Sequence, residues 1–498
     1  MTPELLADLS ALAPEIWITV AIVVTVIADL IVGARGRAVV GVLGLAGVGM
    51  ALWALAHPPE GAPAEVFGLI QTDGYARFFR ALIMSGTGIV ILHGLVFRGM
   101  EESTRNEFVP MLLGTALGGS LLVSTDHLVM LLLSLELLSL NSYLLAGWQR
   151  KERRSSEAAL KYLVYGALAS ALMVFGFSLL YGLSGSLRLP VIGVGVAEAW
   201  NGGLEQQTVV VLGTVLAFVG FGFKIAAFPF HFWAPDVYEG APTPVTTFLA
   251  VASKAAGFGM VCRFVDGVFL GDALNSEWLP KLSHVIAVLA AVTMTYGNIT
   301  AVVQRNVKRL MAYSSIAHAG YLLMGLAVMT NGAGTADMGL DALLFYLATY
   351  YLGTLGAFGC IMALANRFGA EELDDMQGLG WSAPFVGALL VLFLVSLTGL
   401  PPTAGFAGKL MLFRACLDSG LAWLAVVGAL NAMVALFYYF KIARALYLRG
   451  DTEYVPGLAN RGLLPALAHI SLLVLGLATV YYGLGFDGLS SWVHGALL

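Results

Sequence analysis

Apolar residues run along this chain in blocks of about twenty, separated by short polar stretches. That is the spacing a bilayer requires, because about 20 residues of α-helix, at about 1.5 Å of rise each, cross its ~30 Å hydrocarbon layer. Fourteen such blocks can be marked, at residues 16–33, 38–55, 79–97, 109–123, 128–148, 158–183, 209–229, 241–265, 279–303, 310–329, 343–365, 383–417, 421–448 and 463–486. No polar stretch between them is long enough to build a soluble domain. The pattern predicts an all-α polytopic membrane protein, one bundle of about 14 transmembrane helices.

Two of the blocks are interrupted. In GFKIAAFPFHFWAPDVYEGAPTPV, Lys224 is followed five residues later by Pro229, whereas in SLTGLPPTAGFAGKLMLF the pair Pro401 and Pro402 precedes Lys409. Proline removes a backbone donor and clashes with the preceding turn. Both helices are therefore expected to break in mid-membrane, which is tolerated only where protein or water re-satisfies the freed carbonyls. The breaks lie five spans apart with the order of Lys and Pro reversed, which predicts two inverted five-helix repeats, each containing a broken helix. Ordinary proline kinks are the plainer alternative. The resulting division is 1–107, an N-terminal three-helix segment; 108–265, the first repeat; 279–448, the second; and 449–498, a C-terminal span.

Composition agrees with the pattern: 59% hydrophobic residues, 11% charged and a mean hydropathy of +0.84, against roughly 25% charged residues in soluble domains. The bilayer is the expected surrounding, and nothing points to nucleic acid. Orientation follows from the loop cations. With the N-terminus outside, the inner loops hold Arg35, Arg37, Arg98, Arg105, Arg150, Lys151, Arg153, Arg154, Arg305, Lys308, Arg309, Arg367, Lys441, Arg444, Arg449 and Arg461, and the outer side only Arg77, Arg80, Arg188, Arg263 and Lys281. Both termini are then expected outside. The segment MTPELLADLSALAPEIW has neither a basic n-region nor a small-residue cleavage site, so the first span is expected to be retained. Ala, Gly and Arg usage suggests a bacterial plasma membrane.

Cys262, Cys360 and Cys416 are isolated, and no C-x-x-C, H-E-x-x-H or G-x-x-x-x-G-K-[ST] pattern occurs. No metal or cofactor is expected on this chain, so any redox chemistry belongs to partner chains. The segment from Arg188 to Trp200, with Pro190, Gly193 and Gly195 among alternating apolar residues, reads as a β-hairpin on the outer face.

What remains inside the apolar blocks carries the chemistry. Lys161, Lys224, Lys254 and Lys409 lie in stretches that are otherwise almost wholly apolar, where each lysine costs about 2.5–3.5 kcal/mol even on the lenient insertion scale. Four such charges point to ion or proton movement. Glu136, in LLLSLELLSL, needs a cation, and a lysine is the economical partner. Forming and breaking such a pair changes proton affinities on both sides, which makes it a switch; a structural clasp between helices is the alternative. Glu157 and Lys161 are spaced i,i+4 near the inner end of their span, and fit either a proton entry or a snorkelling lysine. His318, in AYSSIAHAGYLLMGL, is placed to relay protons or to sit as a satisfied core residue. His93, His284 and His469 give weaker signals. His231, just after Pro229, reads as an anchor at the inner interface, and Asp29 and Arg414 are lone charges without an assigned partner.

The segments ELLSLNSYLLAGWQRKERRSSEAALKYLVYGALASALMVFG, FKIAAFPFHFWAPDVYEGAPTPVTTFLAVASKAAGF, NVKRLMAYSSIAHAGYLLMG and LTGLPPTAGFAGKLMLF resemble the antiporter-like membrane subunits of respiratory complex I, the proton-pumping NADH:quinone oxidoreductase. The resemblance covers nearly the whole chain. A lysine at 409, where related subunits carry a glutamate, and the absence of a long lateral helix after the last span point to the subunit N branch. Photosynthetic relatives and multisubunit cation/proton antiporters share the core. The resemblance implies that Glu136 and Lys224 form a buried ion pair, Lys254 is the central relay lysine, Lys409 ends the second half-channel, Lys161 belongs to the entry side and His318 to the hydrophilic axis. It also implies that NADH, FMN, iron–sulfur clusters and quinone reside in partner subunits of the complex, and that the neighbours are other membrane-arm subunits and lipid.

Overall fold

The computed structural model describes residues 3–59, 61–97, 106–271, 278–332, 334–448 and 463–497. Arg98, Arg105, Arg449 and Arg461 of the inner set, the side chain of Arg35 and the expected boundary at 449 lie outside the described residues. Helices build almost everything else. The N-terminal segment holds α1 (Pro3–Ala11), α2 (Ala13–Val32), α3 (Arg37–Ala56) and α4 (Gly74–Val96), with a small antiparallel hairpin, β1 (Glu65–Val66) and β2 (Ile70–Gln71), between α3 and α4. Then follow α5 (Phe108–Val123), α6 (Leu128–Ala146), α7 (Arg153–Ser184), α8 (Leu189–Asn201), α9 (Leu204–Ile225), α10 (Trp233–Gly240), α11 (Thr243–Phe248) and α12 (Lys254–Val265). The last two are joined through a π-helical turn, Leu249–Ser253. Beyond them lie α13 (Trp278–Val302), α14 (Val307–Met329), α15 (Ala336–Phe368), α16 (Leu379–Ser382), α17 (Pro384–Thr398), α18 (Ala404–Asp418), α19 (Ala422–Tyr447), α20 (Leu463–Leu484) and α21 (Asp487–His494).

The chain is a multi-pass membrane protein. Among the described residues, twelve helices are long and apolar enough to cross a membrane. The fourteen expected blocks are completed by α5, with 16 residues, and by α17 and α18, with 15 residues on either side of their break. Burial sorts the helices into centre and rim. The apolar windows of α14 and of the continuous helix Thr243–Leu270 are entirely covered by protein, while those of α2 and α20 are 28% covered. On α7, Leu160, Val164, Leu168 and Phe175 form an exposed stripe at helical spacing, the face a lipid tail meets.

Local sequence explains the helix ends. Asp73 caps α4 by accepting from the Ala76 amide at 2.7 Å, and Asn306 caps α14 by accepting from the Arg309 amide at 3.0 Å, each satisfying one of the orphan donors of a first turn. Helices α13 and α14 pack backbone to backbone: a Cβ on Gly297 would stand 2.6 Å from the Ala317 nitrogen, and one on Gly320 would stand 2.5 Å from the Met294 nitrogen. Such close approach strengthens dispersion contacts where lipid removes the hydrophobic drive.

The segment expected as a hairpin at 188–200 is instead α8. Its apolar residues follow helical spacing, with Leu189, Ile192, Val196 and Ala199 all buried, and Pro190 suits a first turn whose amide needs no partner. The glycines serve contact rather than turning, since a Cβ on Gly193 would lie 2.9 Å from the Gly267 carbonyl oxygen. The hairpin that does exist, β1–β2, is nearby: Arg188 reaches Glu65 of β1 at 2.6 Å.

Both expected breaks are present. Helix α9 stops at Ile225, Ala226 takes a left-handed conformation with φ +57°, and α10 starts at Trp233. Helix α17 stops at Thr398 and α18 starts at Ala404. The Phe228–Pro229 and Pro401–Pro402 peptide bonds are cis.

Candidate functional site

Lys409 caps the helix broken in front of it. The last carbonyls of α17 have no partner within their own helix, and Lys409, one turn into α18, donates to the carbonyl oxygens of Leu397 at 3.2 Å and Thr398 at 2.8 Å. A cation at a helix C-terminus also meets the negative end of the dipole. Gly399 makes room: its φ of +88° suits glycine, and a Cβ there would meet Lys409 Cδ at 2.7 Å. The ammonium stands 4.5 Å from the Tyr321 ring centre, where the negative face of the ring attracts it.

Lys254 uses a different irregularity. It opens α12 immediately after the π-helical turn Leu249–Ser253, and such turns shift the carbonyl ladder, a feature frequent at functional sites. The Ala250 carbonyl accepts from the Tyr350 hydroxyl at 3.1 Å. That hydroxyl has one hydrogen, so at the 3.0 Å contact between them Ser315 is the donor. Lys254 itself donates to the Ser315 carbonyl oxygen and stands 5.7 Å from the Tyr350 ring centre.

His318, three residues after Ser315 on α14, stands between these two lysines. Its Nδ1 lies 2.6 Å from the Tyr346 hydroxyl and its Nε2 3.1 Å from the Tyr439 hydroxyl, which also meets Ser314. Its ring centre is 4.8 Å from that of Tyr350 on the Lys254 side and 5.9 Å from that of Tyr321 on the Lys409 side. A neutral imidazole offers one donor and one acceptor, so a tautomer change reverses the direction of this chain of hydroxyls. Lys254, His318 and Lys409 are each 3% exposed or less. They form a line of protonatable groups sealed from solvent and lipid.

Glu136 and Lys224 do not close a direct pair. Glu136 accepts from the Ser170 hydroxyl at 2.7 Å, while Lys224 donates to Ser139 at 3.4 Å, one turn farther along α6. The lysine stem lies against Gly257, where a Cβ would meet Lys224 Cγ at 3.3 Å. Gly257 is three residues after Lys254, so the Lys224 stem packs on α12 one turn from the central lysine. The Trp233 indole donates to the Phe223 carbonyl at 2.9 Å and covers one oxygen freed by the end of α9.

At the inner end expected for these helices, Lys161 bridges Glu157 at 2.7 Å and Asp236 at 2.5 Å. Asp236 also receives Arg309 at 2.6 Å, and Arg309 reaches Glu239 at 3.0 Å. Helices α7, α10 and α14 are thus joined by one ionic network, and the DVYEG stretch supplies two of its carboxylates, Asp236 and Glu239, with Glu157 of α7 as the third. Lys161 is a partner in a network rather than a lone snorkelling charge.

The other titratable residues divide. His93 contacts the Ser471 hydroxyl at 2.9 Å, His284 and His469 contact carbonyls of their own helices, Asn106 donates to Asp29 at 2.8 Å, and Arg414 stands 3.4 Å from Asp418. His231 lies deeper than an interface anchor: it is buried against Phe228 and Tyr296, and neither ring nitrogen has a hydrogen-bond partner among the described residues. Four groups of the central line escape sequence reading: Tyr346 and Tyr350, spaced i,i+4 on α15, and Ser315 and Tyr439. Lys308, outside that line and counted above as a loop cation, escapes sequence reading too. It is buried and donates to the Ala241 carbonyl at 3.2 Å.

Residues 125–435 match the sequence family described as NADH:quinone oxidoreductase/Mrp antiporter, TM. NADH-quinone oxidoreductase subunit N of Chlorobium chlorochromatii is 41% identical over 500 residues, covering 98% of this chain and 94% of the relative. Subunit N 2 of Sorangium cellulosum is 42% identical, with 98% and 97% covered. A chain of respiratory complex I from Thermus thermophilus with bound aureothin is similar with a TM-score of 0.76 at 32% identity, covering 96% of this chain and 98% of that one. A chain of the Mrp complex from a Dietzia species shares the fold, with a TM-score of 0.81 at 21% identity and 98% and 97% covered.

Proposed function

This chain belongs to the NADH:quinone oxidoreductase/Mrp antiporter family of membrane proteins, and from that premise we propose how its buried charges carry protons. It is a proton-translocating membrane subunit of NADH:quinone oxidoreductase, placed in the membrane arm among other subunits of the complex. In our reading, residues 108–265 form the half that receives the proton and residues 279–448 the inverted half that releases it. NADH, FMN, iron–sulfur clusters and quinone are bound by partner subunits. The membrane is the bacterial inner membrane, with both chain termini outside; the excess of loop Lys and Arg on the inner side supports that orientation.

Redox chemistry in the partners moves charge along the membrane arm, and the Glu136–Lys224 pair responds by closing or opening. The open arrangement, with each partner on its own serine, is one of the two states. Two unit charges about 4 Å apart at an effective dielectric constant of 20 interact by about 4 kcal/mol, which is roughly a thousandfold in a protonation equilibrium. Closing or opening the pair is therefore strong enough to change the charge carried by Lys224, whose stem packs on α12 one turn from Lys254, and in our reading that change loads or unloads Lys254. A proton arriving through the Lys161, Glu157 and Asp236 mouth reaches Lys254, crosses by Ser315, Tyr350, His318 and Tyr346, and ends on Lys409. No metal or redox step is assigned to the chain.

One observation carries the reading: His318 lies between two buried lysines with a hydroxyl on each ring nitrogen. The test is proton uptake by inverted vesicles carrying the assembled complex, with NADH oxidation followed in parallel, for wild type and Lys254→Ala. Loss of uptake per NADH in a fully assembled complex is the expected result, and unchanged uptake would reduce the chain to a scaffold. A sodium requirement in the wild type would instead favour cation/proton exchange.

A further inference from the structure

Lys224 changes its charge in the proposed cycle, so a proton must return to it, and on that reading the supply comes from the inner side. A cavity lies in that direction. Partly open and about 180 Å³ in volume, it sits at the inner ends of α5, α6 and α7, where Glu107, Met111, Tyr143, Trp148, Arg150 and Ala159 line it. One water needs roughly 10–15 Å³, so the space holds a cluster of them. The wall suits water: exposed Glu107 and Arg150 bring charges of both signs, and the indole N–H of Trp148, a residue 6% exposed, has no hydrogen-bond partner among the described residues. A buried donor of that kind is ordinarily satisfied by ordered water.

Tyr143 links the cavity to the ion pair. Glu136, Ser139 and Tyr143 are spaced i, i+3 and i+7, so they share one face of α6. The charge of Glu136 and the hydroxyl of Ser139 both act on the Tyr143 hydroxyl, and Ser139 is the group that receives Lys224 at 3.4 Å. Helix α7 leaves this lane clear. A Cβ on Gly166 would overlap the Tyr143 hydroxyl, and one turn farther along, Ser170 donates to Glu136 at 2.7 Å. Tyr162 braces the Tyr143 ring edge to face, with centres 4.7 Å apart, and is itself stacked on Trp233 at 4.4 Å.

We propose that this cavity is a proton inlet from the inner side to the Glu136–Lys224 pair, with the Tyr143 hydroxyl as its relay. Cavity water charged with a proton from the inner solvent gives it to Tyr143, Tyr143 gives its own to Ser139, and Ser139 gives its own to the neutral amine of Lys224. Each hydroxyl takes one proton and loses one, so the sum is one proton moved from solvent to the lysine. The inlet is separate from the Lys161 mouth, which serves Lys254.

The test uses the assembled complex in inverted vesicles, which expose the inner face of the membrane, with proton uptake and NADH oxidation followed together. Tyr143→Phe keeps the ring against Tyr162 and removes the hydroxyl; in complex assembled to the wild-type level, uptake per NADH should fall several-fold. Ala159→Cys probes the cavity itself. A membrane-impermeant cationic methanethiosulfonate should label that thiol in inverted vesicles and not in right-side-out ones, and labelling should lower uptake per NADH below that of the same vesicles before treatment. Wild-type vesicles treated alike correct for thiols on partner subunits, since the three cysteines of this chain are buried. Wild-type uptake per NADH in Tyr143→Phe, labelled Ala159→Cys that pumps as before, or labelling confined to right-side-out vesicles would overturn the inlet. Lys254→Ala separates the two readings: normal uptake there sinks the relay line as a whole, whereas lost uptake there beside normal uptake in Tyr143→Phe removes the inlet alone.

Discussion

Lys409 Nζ donates to the Thr398 carbonyl at 2.8 Å across the break between α17 and α18, so the terminal lysine of the line also closes the helix that was interrupted to admit it. The two tasks can be separated. Lys409→Met keeps the stem and leaves the Leu397 and Thr398 carbonyls without a partner, a cost of about 1–3 kcal/mol for a buried acceptor. Lys409→Arg keeps donors for both oxygens but holds its proton far more tightly. The Met variant should assemble poorly on native gels. The Arg variant should assemble normally and oxidise NADH with several-fold less proton uptake; normal pumping by Lys409→Arg would limit the residue to capping.

Tyr350→Phe removes one hydroxyl and keeps the ring beneath Lys254 and beside His318. The lost bonds, to the Ala250 carbonyl and from Ser315, are worth about 0.5–1.5 kcal/mol each in stability, so assembly should survive. If the hydroxyl is a step of the relay, proton uptake per NADH should fall well beyond what that small stability loss explains. Stopped-flow proton uptake on purified complex in proteoliposomes measures it.

Part of this site is legible in the sequence for a plain reason. A lysine in an apolar block is costly enough to be conspicuous, and proline beside it signals where backbone groups will need partners, so Lys224, Lys254 and Lys409 and both breaks follow from residue type and spacing. The partners are less legible. Tyr350, Tyr346 and Tyr439 are ordinary buried aromatics by composition, and only packing turns their hydroxyls toward His318. Lys308 looks like any inner-loop cation until α14 is seen to start beneath Ala241. The segment at 188–200 misleads because LPVIGVGVAEAW alternates, with period 2, at the glycines; the helical spacing of Leu189, Ile192, Val196 and Ala199 is equally present and wins once those glycines can lie against neighbouring backbone.

At the N-terminus of α4, outside the span, two forces act on Asp73. Burial pushes its carboxyl up, but the Arg263 guanidinium and the Ala76 amide outweigh it and hold the group below the ordinary aspartate value of 3.8. A carboxylate with a lowered folded value contributes stability above its unfolded value and loses it as pH falls through the folded one. The Arg263 clasp should therefore be intact at neutral pH and fade only below about pH 4. Asp73→Asn should lower the melting temperature of the complex at pH 7 while narrowing the difference from wild type as pH approaches 3. A difference that is constant across that range would place the contribution of Asp73 in packing rather than charge.

The open Glu136–Lys224 arrangement makes a quantitative claim about the resting state. Breaking a closed buried pair by removing one partner costs about 3–5 kcal/mol, and a double-mutant cycle isolates the pairwise part of such a cost. With Glu136 on Ser170 and Lys224 on Ser139, a cycle of Glu136→Gln and Lys224→Met on the thermal stability of resting complex should give a coupling of about 1 kcal/mol or less. The same cycle on proton uptake per NADH should be strongly non-additive, because either change alone removes the switch and the second has nothing left to remove. A large stability coupling in the resting complex would mean that the pair is closed there and opens only during turnover, reversing the order of the first step.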